Sequence, residues 1–476
     1  MNLRNSIYIT FVLLVSGVLG SCNEEFLTPT PNASIEQGEV FEELATAEAA
    51  LTGAYDQLSS YVFDGMWVPL MCDIMGEDVM VNSENNWGWF VPVYQLNILP
   101  NYTYNDYPWW TAYKVIYDAN KIIEGVENIE DATTEEKNRL EGEAKAIRAY
   151  TMLKLVQMYA PSYSMDKSAP GIMNVTKPVP VEVTGFARSS VETVYQQIVG
   201  DLLSAIDLLE LNEDNPGLFN QRSAQALLAR TYLDMEMWTE ARDMAVAAHT
   251  DIELMSLQDL MYGGFNYRNS ETLFTIAYTQ EDNNIYMSIP AFYWPVAGYS
   301  SIRANDKFVE SFETMDARRT AHFLSYPDID PDRMLILKFQ HREGQVGFAE
   351  RIAIRASEMV LIEAECEAQL GNNTEARDAL YAIQSRANPG AVKSPLSGDD
   401  LVQEILMERR RELFGEGFRL NDIKRRQDRL TRAGDHWAKF DFGPEDEDYY
   451  RLTFPIPQSE IDVNDQISNE DQNPGY

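Results

Sequence analysis

Two distant stretches of this chain carry the same spacing of small side chains. Between Gln221 and Thr250, Ala229, Tyr232, Ala241 and Ala248 stand at offsets 0, +3, +12 and +19. Ala364, Ala376 and Ile383 repeat the offsets 0, +12 and +19 in a second block. Such a repeat predicts antiparallel helix pairs whose axes approach closely, because only small residues fit where two helices touch. The turns are supplied by Trp238-Thr239 and by Gly371-Asn372-Asn373-Thr374, with Gly stopping one helix and Asn or Thr capping the next. Further periodic segments bring the total to about four pairs: 141–159 with 189–211, 221–236 with 239–250, 355–370 with 374–387, and 400–414 with 418–430. They are not contiguous in sequence, as a plain solenoid would require.

The intervening segments read differently. A first helix is expected at 46–59, with Leu51, Ala54, Tyr55 and Leu58 on one face. From 61 to 107 periodicity disappears among Asn, Gly, Pro and aromatics, which predicts long ordered loops. Pro108 stands where a helix can begin, and Trp109, Tyr113, Ile116, Asn120 and Ile123 follow at helical spacing. The helix 141–159 stops before Pro161. Ser189 with Glu192 three residues later has the form of a capping box. In 252–350, the runs ETLFTIAYT and RMLILKFQ are candidate strands, and IPAFYWPVAGYSSIR between them is loop-like.

The N-terminus is a targeting segment rather than part of the fold. Arg4 precedes an apolar run, Ile7 to Leu19, too short to span a bilayer. The run ends in Leu19-Gly20-Ser21-Cys22, which resembles a bacterial lipobox. Residues 1–21 are then a signal peptide, Cys22 the lipidated first residue, and 22–40, with Thr28-Pro29-Thr30-Pro31, a tether. Of the remaining cysteines, Cys366 falls in an apolar helical pattern and reads as a small buried hydrophobe; a disulfide with Cys72 is permitted outside the cytoplasm. The body, 41–476, divides into a helical region with aromatic loops (41–250) and a C-terminal region (251–476), expected to form one integrated unit. A net charge of −37 over 476 residues disfavours nucleic acid or an anionic membrane surface as direct partner.

No catalytic signature stands out. The four histidines never fall at i, i+4, and no HExxH, Cys pair, GxSxG or phosphate loop is present, so no metal, no cofactor and no enzyme activity are expected. Glu408-Arg409-Arg410-Arg411-Glu412 reads as a structural ion-pair motif: Glu408 and Glu412 lie one turn apart and can pair with arginines of the next helix, such as Arg419 or Arg425. Aromatics are more telling. Five of the eight Trp lie between Trp67 and Trp110. Trp109 and Trp110 open a helical stripe and are expected in the core. Trp87 and Trp89 flank Gly88 after the polar run Asn82-Ser83-Glu84-Asn85-Asn86, which cannot easily bury two indoles. They are candidate stacking platforms for the C–H face of a pyranose, with Tyr293 and Trp294 as a second pair.

Taken together the motifs resemble the SusD/RagB family of outer-membrane nutrient-binding lipoproteins of Bacteroidetes. The likeness rests on the lipobox with Asn23-Glu24-Glu25 behind it, on Arg188-Ser189-Ser190, Asp316-Ala317-Arg318-Arg319 and Ile354-Arg355-Ala356-Ser357-Glu358-Met359. It continues in Glu408 to Leu413, Glu416-Gly417-Phe418-Arg419, Asp422-Ile423-Lys424-Arg425 and the ending Gln472-Asn473-Pro474-Gly475-Tyr476. The resemblance implies a mostly α-helical protein on four tetratricopeptide units, anchored to the outer membrane and facing the cell surface. It also implies a SusC-like TonB-dependent transporter as partner and an oligosaccharide or polysaccharide ligand, taken up by an aromatic element to which Trp87-Gly88-Trp89 is similar. The other reading is a tetratricopeptide scaffold, or a peptide-capturing RagB-type lipoprotein without glycan specificity.

Overall fold

The computed structural model describes residues 41–180, 182–211, 215–294, 296, 298–326, 330–342 and 348–476; the expected signal peptide, Cys22 and the expected tether lie outside them. The protein is mostly α-helical. Its longer helices are α1 (Leu44–Ser59), α2 (Trp67–Ile74), α3 (Thr103–Gly125), α4 (Thr134–Tyr159), α5 (Val191–Leu208), α6 (Gln221–Asp234), α7 (Trp238–His249), α8 (Ala356–Gln369), α9 (Asn373–Ala387), α10 (Asp399–Glu412) and α11 (Arg419–Arg426). Its longer strands are β1 (Val79–Val81), β2 (Thr272–Ile276), β3 (Ile302–Ala304), β4 (Phe323–Tyr326), β5 (Asp330–Ile336) and β6 (Arg351–Arg355). An antiparallel sheet runs in the order β1-β3-β5-β4, and β2 pairs with β6.

The small-residue positions hold the helix pairs together. Ala229, Ala241, Ala248, Ala364, Ala376 and Ile383 are completely buried, and α6 packs on α7 as α8 packs on α9. The interruption seen in sequence is bridged in space: α7 lies directly against α8, so the second pair stacks on the third across the 250–355 insertion. One apolar cluster takes residues from both halves, from Ala47 to Ile467; a smaller one lies within α8 to α10 and their surroundings.

Several local expectations need correction. The 61–107 stretch is not all loop. Helix α2 is buried at every position, so its sequence has no polar face to give a period. Helix α4 begins seven residues before Glu141, behind a capping box of Thr133 and Glu136. Helix α3 starts at Thr103 and carries Pro108 inside it. The cap of α5 is Ser190, whose hydroxyl accepts from the Thr193 amide. Ser189 instead donates its own amide to the Ile172 carbonyl, and the Glu192 carboxylate is drawn away to Lys167, 2.9 Å distant. Cys72 and Cys366 are both free and buried.

The Glu-Arg-Arg-Arg-Glu motif does bury its acids against arginines, but not those of the next helix. Glu412 meets Arg355 at 2.7 Å, Arg318 at 2.8 Å and Arg386 at 2.6 Å; Glu408 meets Arg318 at 2.7 Å. These partners come from β6, α9 and the start of a short helix at Ala317, which α10 faces across the core. Arg419 turns instead to Glu77 (2.6 Å), and Arg425 to Glu365 (2.7 Å) and Asp422 (2.8 Å). Of these partners Arg318 and Arg355 come from the insertion between the helix pairs, which spacing along the chain does not place.

Candidate functional site

Two loops meet where β1 and β3 end. The pairing of Val79 with Ala304 and Val81 with Ile302 fixes their bases side by side. Asn82 continues the ladder: its amide donates to Ser301 O (2.8 Å), its side-chain amide donates to Ser300 O (2.9 Å), and its Oδ1 accepts from Arg303 Nε (2.6 Å). The loop after Asn82 then folds on itself. Asn86 Nδ2 donates to Asn82 O at 2.8 Å, while Asn86 Oδ1 accepts from the Gly88 amide at 2.8 Å.

This turn forces an uncommon backbone. Asn85, Trp87 and Phe90 have φ of 54°, 56° and 56°, and Gly88 has 81°. A left-handed conformation costs a bulky residue about 1–2 kcal/mol, and such strain persists only where the surroundings over-determine it. Here the Asn86 hydrogen bonds and the buried Phe90 pin both ends of the turn. The outcome is that Trp87 stands out from the surface, 72% exposed.

Trp89 has the opposite surroundings. It is half-buried, edge-on to Phe292 (5.6 Å between ring centroids) and tilted on Tyr299 (5.7 Å). Phe90 carries the cluster inward to Phe292 (5.4 Å) and Tyr104 (5.0 Å), and the Tyr104 hydroxyl accepts from the Phe90 amide at 2.9 Å. Tyr104 touches Trp67 at 4.8 Å, and Trp67 stacks on Tyr107 at 6.0 Å with the planes only 7° apart. Around the rim, Tyr286 and Tyr107 are 51% and 44% exposed.

The structure therefore holds Trp87 out beside Trp89, whose ring belongs to the aromatic cluster, and separates the other expected pair from that cluster. Tyr293 is fully buried, stacked on Phe339 at 5.5 Å, and burial raises its phenol pKa; its ring offers no face to a ligand. The two flanking prolines suggested exposure, yet Tyr293 ends a short helix, Ile289–Tyr293, whose every residue is buried. Trp294 is half-buried against His341, 4.4 Å away, and its contact is with that ring rather than with the Trp89 cluster. Sequence reasoning did not single out Tyr107, Tyr286 or Tyr299. Only Tyr107 carried a signal, lying three residues, one helical step, before Trp110.

Chemically the surface offers flat apolar faces ringed by amide and hydroxyl groups. Among the described residues no group of three metal-ligating side chains is present. Buried acids elsewhere are engaged: Asp64 accepts from Arg351 (2.6 Å) and the Tyr150 hydroxyl (2.5 Å).

Comparisons with known proteins agree with one another. A profile described as the SusD family matches residues 334–476, and one described as SusD-like, starch-binding associating with outer membrane, matches 35–233. The SusD-like protein P38 of Formosa agariphila is 25% identical, covering 88% of this chain and 91% of its own length. A SusD superfamily protein from Bacteroides thetaiotaomicron superposes with a TM-score of 0.83 at 27% identity, covering 91% of this chain and 100% of that one. A SusD-like carbohydrate binding protein from Bacteroides vulgatus superposes with a TM-score of 0.80 at 25% identity, covering 90% and 98%.

Proposed function

The chain belongs to the SusD/RagB family, and from that premise we propose that it is a non-catalytic, lipid-anchored protein of the outer membrane that captures glycan at the cell surface and delivers it to a TonB-dependent transporter. The single observation that carries this reading is the Trp87 indole, held out into solvent on a strained but fully braced turn beside the Trp89 cluster. An exposed large aromatic at a rigid position asks for a partner, and a pyranose ring matches it: its C–H face stacks on the indole while its hydroxyls reach the surrounding amides. The description of the matching profile and the name of the Bacteroides vulgatus relative support carbohydrate as the ligand class.

A preformed, rigid platform suits capture rather than chemistry. Nothing in the aromatic cluster offers a paired acid and base poised over a common point, as glycoside hydrolysis needs. The test is a glycan array probed with the purified full chain in detergent, with reducing ends assayed in parallel. Binding to a defined set of glycans without release of reducing sugar is expected. Binding only to peptides, or turnover of a bound glycan, would overturn the reading.

A further inference from the structure

Trp110 was expected in the core beside Trp109. Neighbouring residues on a helix point about 100° apart, so Trp109 is buried with its Nε1 donating to Glu460 (3.0 Å), and Trp110 is 63% exposed. The Trp110 ring faces Lys114, 6.0 Å from its centre, and meets no other ring among the described residues. Tyr286 is placed differently. It is 51% exposed, and the turn that carries it repeats the build of the Trp87 turn.

The bracing asparagine is the same in both turns. Asn86 sends Nδ2 back to Asn82 O and takes the Gly88 amide, two residues ahead, on Oδ1. Asn283 sends Nδ2 back to Thr279 O (3.1 Å) and takes the Ile285 amide, two residues ahead, on Oδ1 (3.0 Å). Each turn also holds a bulky residue at positive φ, Trp87 at 56° and Ile285 at 47°, the latter an outlier for a β-branched side chain. Asn284 Nδ2 donates to Ser59 O (3.0 Å) and Tyr278 Oη (2.9 Å), and the Ser288 hydroxyl donates to Ile285 O (2.8 Å). Strain of this kind persists where the surroundings over-determine the backbone, and it gathers at ligand clamps.

The two turns meet on one segment, 298–300. A methyl group on Gly298 would lie 3.3 Å from Tyr286 Cδ1, so the Tyr286 ring lies against the bare backbone of an exposed glycine. Tyr299 follows, half-buried, its ring 5.7 Å from that of Trp89. Ser300 O then accepts from Asn82 Nδ2 (2.9 Å) at the base of the first loop. Every residue on the path Tyr286, Gly298, Tyr299, Trp89, Gly88, Trp87 is exposed or half-buried, so the path runs along the surface. Neither 82–90 nor 279–300 contains a lysine or arginine; their charges are Glu84, Glu281 and Asp282.

Resting on the glycan-capture reading above, we propose that Tyr286 is a second stacking subsite on the same strip as Trp87, so that the protein holds an uncharged polysaccharide along its chain rather than by one terminal sugar. Trp87 and Tyr286 take the faces of different sugar units, and the half-buried Trp89 and Tyr299 floor the strip between them. Once one unit is seated, engagement of the second ring is intramolecular, so affinity rises with chain length until both rings are covered. The acids of the two loops repel uronate and sulfate groups, which restricts the strip to neutral chains.

Affinity electrophoresis of the full chain tests it, in gels containing xylan, laminarin, pullulan or galactomannan as neutral polymers and polygalacturonate as an acidic one. Isothermal titration then follows the retained polymer's own oligosaccharides, from disaccharide to hexasaccharide. The wild type is expected to be held back by a neutral polymer and to bind more tightly as the oligosaccharide lengthens. Tyr286→Ala should lower affinity for the hexasaccharide about three- to tenfold, the size of one aromatic stacking contact, and flatten the rise with length. Tyr286→Phe, which keeps the ring, should return most of what is lost. Trp87→Ala is run alongside. Loss of binding in Trp87→Ala with a wild-type rise in Tyr286→Ala overturns the subsite and leaves glycan capture standing. Affinity that stops growing at the disaccharide, or retention by polygalacturonate alone, does the same. No retention by any neutral polymer also overturns the subsite, and a blank glycan array besides removes capture itself.

Discussion

Arg355 and Glu412 face each other at 2.7 Å with both side chains sealed from solvent. Arg355 ends β6 and Glu412 ends α10, so this contact ties the strand pair to the last helix pair. Glu416 (2.7 Å) and Glu271 (2.8 Å) complete the guanidinium's surroundings. Removing one partner of a buried pair leaves an uncompensated charge, which costs about 3–5 kcal/mol. Arg355→Met should therefore lower the denaturant midpoint sharply. Arg429→Met, which breaks a solvent-exposed contact with Asp441, should leave it unchanged. Equal behaviour of the two variants would deny the network its structural role.

The same network sets the acid limit of the fold. Burial opposes the charge on Glu412, but Arg386, Arg355 and Arg318 outweigh it and hold its carboxyl well below the usual range; Glu416 and Asp422 are lowered in the same way by their own arginines. A carboxyl depressed in the folded state contributes its full stability above the unfolded pKa, about 4.3 for Glu. That contribution drains away as pH falls below it, because the unfolded chain then takes up protons the folded one refuses. The network's share of the urea midpoint should be constant above about pH 4.3 and fall steeply below it. Asp73 works in the opposite sense: burial pushes its carboxyl up to about 7, so its contribution declines as pH rises toward that value. A midpoint that holds steady far into acid would contradict the assignment of Glu412.

Gly417 and Gly371 separate close packing from backbone freedom. Both have positive φ, 89° and 84°. A methyl group on Gly417 would lie 2.7 Å from Pro69 Cα, whereas nothing lies within 4 Å of one on Gly371. The Gly417 amide also donates to Asp73 at 2.8 Å, holding α11 against α2. Both substitutions meet the left-handed penalty of about 1–2 kcal/mol, and Gly417→Ala should lose about 1–3 kcal/mol more from overpacking. Thermal unfolding of the two variants gives the comparison; the reverse order would show that the α2–α11 contact is looser than described.

Cys22 stands outside the described residues, and the proposal that it carries the lipid anchor rests on the lipobox-like run Leu19-Gly20-Ser21-Cys22. Cys22→Ala should release the protein from the membrane fraction into the soluble fraction while the body still folds. Continued recovery with membranes after a carbonate wash would argue against lipidation there.

Much of the frame was legible in the sequence because helix pairs leave a spacing. Ala229, Ala241, Ala364 and Ala376 could be read as contact points from their offsets alone, and ETLFTIAYT as a strand from its short apolar run. Helix α2 could not be read, since a helix buried on all sides has no alternation. The partners of Glu408 and Glu412 were misplaced for a different reason: local spacing nominates the next helix, whereas Arg318 and Arg355 come from an insertion whose path no periodicity fixes. In the candidate site, Trp87 was legible because the Asn-rich run before it cannot bury an indole. Tyr293 was not, because the neighbouring prolines imitate an exposed loop. Trp110 was lost through pairing it with Trp109, although adjacent helical residues point to different sides.

Trp87 gives the most direct measurement of all. Its side chain is largely exposed and makes no ring contact among the described residues, so Trp87→Ala should unfold at the wild-type temperature, within the range of about ±0.5 kcal/mol typical of surface changes. Trp89→Ala removes contacts to Phe292 and Tyr299 and serves as the destabilised counterpart. The decisive experiment is isothermal titration of the wild type and Trp87→Ala with a glycan that the wild type binds. Loss of binding in a variant of unchanged melting temperature is the predicted result. Undiminished affinity in that variant would contradict the claim that the exposed indole is where this protein takes hold of its ligand.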